Sequence, residues 1–143
     1  MIQRIQTVFL ALGAITSFGL FGTDAAETEV AVPGSEVFAD AQYDVYDSLL
    51  LTGGVLAAGL LLFIAIFLFT NRRLQVVLCN VALIITLAYA AYGGVLWYTD
   101  SAAAQSQVDF GALLPILTML FAALAARYVR KDEKLVRSAD RLR

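Results

Sequence analysis

The residue types that most often do chemistry are scarce in this chain. No histidine occurs among its 143 residues. The commonest metal ligand, the usual axial haem ligand and the usual general base at neutral pH are therefore missing together. The single cysteine, Cys79, lies inside an apolar run, so neither a disulfide within the chain nor a Cys-x-x-Cys redox pair can form. Seven acidic residues fall between Asp24 and Asp47 with no basic residue among them. Carboxylates suit hard cations such as Ca²⁺, but these lack the alternating Asp/Asn/Gly spacing of a cation-binding loop and read as a solvated, negatively charged segment. No catalytic residue, cofactor or metal site is assigned, and the chain is expected not to be an enzyme.

The elements that carry these residues are apolar. Hydrophobic residues make up 60% of the chain and its mean hydropathy is +0.77, whereas a soluble domain is typically about 45–50% apolar. The excess is gathered into four runs, residues 5–22, 48–70, 74–98 and 110–127. Each is near the roughly 20 residues that a helix needs to cross a bilayer. A span in hydrocarbon must satisfy its own backbone hydrogen bonds, and four strands cannot close a barrel, so helix is the form expected. The fold class is an all-α membrane protein: four transmembrane helices in an antiparallel bundle, forming one membrane domain over residues 1–143. A cleaved signal peptide is the rival reading of the first run, with a cleavage site at Thr23-Asp24-Ala25 and three spans left; retention is the expectation adopted.

Charge sets the expected orientation. All ten Lys and Arg residues lie before the first run, in the turn at residues 71–73, or from Arg127 onward. The loops at residues 23–47 and 99–109 contain none. The positive-inside rule then puts both termini in the cytoplasm. Tyr43, Tyr46, Trp97, Tyr98 and Phe110 form an expected aromatic belt at the outer interface, with Tyr128 as the inner counterpart. The acidic loop, with a turn at Pro33-Gly34, is expected to be mobile or only partly ordered.

Inside the runs, with the fourth taken as far as Ala126, there is no Asp, Glu, Lys, Arg or His. An ionisable residue at membrane depth is the usual mark of an ion path or proton relay, so its absence counts against a pump or a proton-coupled carrier. The polar residues singled out are Thr16, Ser17, Thr52, Asn80, Thr86 and Thr118. Asn80 lies about 9 Å into the third helix and is the intramembrane polar contact of most interest. A hydrogen bond to a neighbouring helix, worth about 0.6–2 kcal/mol, is its simpler role. The pairs Gly13/Ser17, Gly53/Ala57 and Gly54/Ala58 have the four-residue spacing that lets helices pack closely, within one chain or between copies. Pro115 should kink the fourth helix unless that helix begins near Leu113.

The densest feature is the tail. Residues 127–143 hold seven basic and three acidic residues, a net charge of +4 (7 − 3), and no Gly or Pro. The tail at residues 128–143 should therefore extend the fourth span as a basic amphipathic helix, with Glu133 and Arg137 in the favourable i, i+4 order. Such a helix binds anionic headgroups at about 1 kcal/mol per basic residue, or docks on a protein. The contacts expected at this face are Arg4, Arg72, Arg73, Arg130, Lys131, Lys134, Arg137 and Arg141. A nucleic-acid partner is not expected, because one short helix with Tyr128 as its aromatic residue offers no stacking platform.

The opening Met1-Ile2-Gln3-Arg4-Ile5-Gln6-Thr7 and the ending Arg130-Lys131-Asp132-Glu133-Lys134-Leu135-Val136-Arg137-Ser138-Ala139-Asp140-Arg141-Leu142-Arg143 resemble an uncharacterised family of small four-helix bacterial inner-membrane proteins, known as a domain of unknown function. The resemblance implies a bacterial inner-membrane location and supplies no activity, cofactor or active site. Its signature segments both fall on the expected cytoplasmic side. The function expected is that of a non-enzymatic subunit or scaffold binding a partner or anionic lipid through its cytoplasmic face. The alternative is a small homo-oligomeric transporter or channel with Asn80, Thr86 and Tyr89 along its path. A lipid-directed membrane enzyme is a third class, for which no nucleophile, base or metal set is found.

Overall fold

The computed structural model describes residues 2–140. Four helices dominate it: α1 (Ile2–Gly19), α2 (Leu49–Phe67), α3 (Arg72–Thr99) and α4 (Leu114–Asp140). All four are long and apolar enough to cross a membrane. Each packs on two neighbours, in the cyclic order α1–α2–α3–α4, so the chain winds up and down around one bundle. Asn71 caps α3, accepting from the Leu74 amide at 3.2 Å, and this tight turn makes α2 and α3 adjacent. The 3₁₀ turn Phe110–Leu113 precedes α4, which puts Pro115 in the first helical turn. Its missing N–H falls where a helix has no internal acceptor, so no kink is required there.

The interior is packed by small residues. Val55, Ala58, Leu62 and Ala65 of α2, Ala82 of α3 and Ala125 of α4 are all fully buried. A Cβ on Gly54 would sit 2.9 Å from that of Tyr89, and one on Gly59 would sit 2.6 Å from the Phe18 ring. Gly54 and Ala58 therefore pack inside the bundle, whereas Gly53 faces open space. At mid-depth two hydrogen bonds join the helices. Thr16 and Thr118 share a hydrogen bond at 2.9 Å, and Ser17 donates to the Val55 carbonyl at 2.9 Å. Within α3, Thr86 donates to the Ala82 carbonyl at 2.8 Å.

The acidic end departs from the expectation of a mobile loop and an all-α chain. Strands β1 (Ala26–Glu27), β2 (Gln42–Tyr43) and β3 (Gln107–Val108) form an antiparallel sheet in the order β2–β1–β3. Ala26 stands opposite Tyr43 on one side and Val108 on the other. Three features order the segment. Phe38 is fully buried. Tyr43 donates to the Gly93 carbonyl at 2.8 Å. Asp100 accepts from the Ser35 hydroxyl (2.8 Å to Oδ2) and from the Glu36 amide (3.1 Å). Pro33 and Gly34 form the expected turn, closed by the Ser35 amide on the Val32 carbonyl at 3.1 Å, with Gly34 at φ +91°. The expected aromatic belt is divided. Tyr46, Tyr98 and Phe110 are exposed, whereas Tyr43 is buried and Trp97 turns inward to donate to the Ser106 hydroxyl at 2.9 Å.

Candidate functional site: the basic end of the bundle

α4 presents two different faces at its C-terminal half. Ala122, Ala125, Ala126, Val129 and Asp132 are buried, at the three- and four-residue spacing of a helix stripe that faces its neighbours. Arg127, Arg130, Lys131 and Lys134 are exposed. Arg127, Lys131 and Lys134 follow i, i+4, i+7 spacing and so lie on one face.

The two acids of this turn point the other way. Asp132 Oδ2 lies 2.9 Å from Arg72 Nε, with side-chain exposures of 13% and 24%. Glu133 lies 3.6 Å from Arg73, whose own side chain is 80% exposed. Arg130 Nη2 donates to Asn80 Oδ1 at 3.3 Å. Asn80 therefore makes an interhelical hydrogen bond from α3 to α4. Phe9 of α1 and Tyr128 of α4 stack with ring centroids 5.3 Å apart.

The eight cations expected at this face thus have different surroundings. Arg72 is largely enclosed in its ion pair with Asp132, with 24% of its side chain exposed. Arg73 keeps most of its surface free while facing Glu133, so Glu133 is engaged across helices. Arg130 is exposed yet tied to Asn80. Lys131 and Lys134 are exposed. Arg4 and Arg137 stand on α1 and α4 by their backbone positions. Arg141 lies outside the described residues.

Two glutamines join the site without having been singled out from the sequence. Gln6 and Gln75 are both fully buried. Gln75 Nε2 donates to the Ala65 carbonyl at 2.9 Å. Neither polar atom of the Gln6 amide has a hydrogen-bond partner among the described residues. A polar residue within one turn of an apolar run was the signal available, but such residues ordinarily face the interface.

Among the described residues the arrangement holds no nucleophile–base pair. It offers an outward cationic surface on a helix fastened from behind by two ion pairs and an amide contact. A family model described as a domain of unknown function (DUF4293) matches residues 2–142. No curated protein and no solved structure matches the chain. The chain, over nearly its whole length and with its four long helices, belongs to the DUF4293 family.

Proposed function

We propose that this protein is a non-enzymatic, multi-pass subunit or scaffold of a bacterial inner membrane, with both termini cytoplasmic, and that its basic end docks an acidic surface of a partner protein. One observation carries the reading. The acids Asp132 and Glu133 turn inward onto Arg72 and Arg73, while Arg127, Arg130, Lys131 and Lys134 face out. The tail's mixed charge is thereby sorted into a cationic outer surface. Exposed Leu135 and Val136 lie beside it and give a partner apolar area as well as charge.

A protein partner is favoured over headgroups by the course of α4. That helix is unbroken from Leu114 to Asp140, so eight residues, about 12 Å, continue past the level of the Arg72–Asp132 pair. An interfacial helix lies in the membrane plane, and this one continues along its own span. The channel reading receives less support, because Thr86 is fully buried in contact with the Ala82 carbonyl and Asn80 is bonded to Arg130.

The test is an affinity purification of the intact protein from its own membranes in mild detergent, beside the variant Arg127→Gln/Lys131→Gln/Lys134→Gln. Seven of the ten cations remain in that variant (10 − 3), so insertion is retained. One stoichiometric protein is expected with the native chain, lost in the variant and released as salt approaches about 0.5 M, where exposed charges are screened. A clean protein in both preparations sinks the docking reading. Loss of anionic lipid in place of a protein transfers the surface to the bilayer.

A further inference from the structure

A cavity of about 380 Å³ lies at the opposite, acidic end, where the sheet meets the bundle. Pockets that hold small ligands run from about 300 to 1,000 Å³. Tyr89, Trp97 and Pro115 contribute to its walls, and the lining is predominantly apolar. Of the lining residues, Gly94 on α3, Val108 on β3 and Ile116 on α4 are exposed. The mouth therefore opens sideways, between α3 and α4, on the flank that also exposes Leu113 and Leu120.

The fluid at that mouth decides what enters. An apolar cavity facing water stays dry and gains little from filling with it. On the flank of span-length helices the surrounding medium is hydrocarbon, which matches the lining. The headgroup level is equally constrained. Asp44 is the charged residue lining the cavity. Asp24 lies close enough to Asp44, Asp109 and Asp40 for their charges to hold its carboxyl above the ordinary range, after the larger effect of burial. The loops at this end carry no Lys or Arg. An anionic headgroup meets repulsion there, and an ammonium group meets attraction.

We infer that this cavity holds one acyl chain of an ethanolamine phospholipid from the leaflet at the acidic end, with the lipid's ammonium group set against the Asp44 carboxylate. Ethanolamine is the headgroup chosen because its N–H groups can donate to a carboxylate. The inference rests on reading the four helices as membrane spans.

The experiment is native mass spectrometry of the detergent-extracted protein, followed by lipid exchange with vesicles of phosphatidylethanolamine or phosphatidylglycerol. A Cβ on Gly94 would meet no atom within 4 Å, so Gly94→Leu fills the mouth without a backbone clash and replaces a helical glycine with a better helix former. One phosphatidylethanolamine is expected per native chain, reduced about tenfold in Gly94→Leu, with helix content by circular dichroism preserved. Ile116→Trp plugs the same opening from α4 and serves if the first variant fails to fold. Asp44→Asn keeps an acceptor for the Tyr46 amide, which Asp44 now binds at 2.6 Å, and is expected to retain a lipid while losing the preference for ethanolamine. Unchanged lipid retention in both plugged variants, or equal retention of phosphatidylglycerol by the native chain, overturns the inference. Recovery of the chain in the soluble fraction without detergent overturns the membrane reading, and this inference with it.

Discussion

The Asp47 carboxylate accepts a hydrogen bond from the Asp44 amide at 2.9 Å, which by itself would favour the charged form. Asp47 is an exposed residue, but partial desolvation of its carboxyl outweighs that bond and the neighbouring charges of Asp44, Asp40 and Asp24 add to it, so the pKa is pushed up from 3.8 to about 6. A carboxyl whose folded pKa is raised binds its proton more tightly in the folded than in the unfolded state. Its contribution to stability therefore falls as pH rises from about 4 through about 6. Asp24, raised chiefly by burial, has the same sign. Asp100 has the opposite sign. Burial opposes its ionisation, but hydrogen bonds from Ala102, Ser35, Glu36 and Val37 outweigh burial and lower its pKa, so its contribution is lost only at more acid pH. Asp47→Asn keeps the acceptor and removes the titration. The variant should unfold about 2 °C higher than the native chain at pH 7.5 and coincide with it near pH 4. Fluorescence of Trp97, the single tryptophan, reports unfolding at this end. A native chain whose unfolding temperature rises steadily from pH 4 to pH 7.5 would contradict the sign assigned to Asp47.

At the scale of elements, the basic end depends on what fastens α3 to α4. Removing one partner of a largely buried ion pair leaves an uncompensated charge, whereas replacing both with apolar groups is often neutral. Arg72→Met should therefore destabilise the protein by about 2 kcal/mol, less than for a fully buried pair because Arg72 retains some solvent contact. The double variant Arg72→Met/Asp132→Met should recover most of that loss. Hydrogen exchange at the first turn of α3 checks both. Equal exchange in the single and double variants would mean that the pair contributes no coupling. This clasp was only half legible in the sequence. The charges were visible, but Arg72 and Asp132 are sixty positions apart (132 − 72), and helical spacing suggested local partners such as Glu133 with Arg137. The long helices were legible because runs of about 20 apolar residues have few alternative structures. The sheet was not, because strands of two residues carry no alternating pattern to read. Its order comes from long-range contacts, such as Tyr43 on Gly93 and Asp100 on Ser35 and Glu36. Gln6 escaped notice for a related reason, since composition cannot tell a glutamine facing the interface from one folded into the bundle.

At the scale of the molecule, the two ends are chemically opposite. One carries the small sheet, nine carboxylates between Asp24 and Asp109, and no Lys or Arg in its loops. The other carries Arg4, Arg72, Arg73 and five cations of α4 from Arg127 to Arg137. Lys and Arg in short loops are retained on the cytoplasmic side during insertion, so this polarity supports the proposed orientation. Its consequences reach both proposed sites, because a docking surface on α4 needs the cytoplasm and a cavity beneath the acidic sheet then opens to the outer leaflet. The labelling background is quiet. Cys79 is 1% exposed and is replaced by alanine in the test chain. Glu29→Cys and Ala104→Cys, at exposed positions of the acidic end, should react in intact cells with a maleimide that cannot cross the membrane. Lys134→Cys should react only after the cells are permeabilised. Labelling of Lys134→Cys in intact cells, with Glu29→Cys protected, would invert the molecule. The cationic surface would then face away from cytoplasmic proteins, and the apolar cavity would open to the leaflet on the cytoplasmic side.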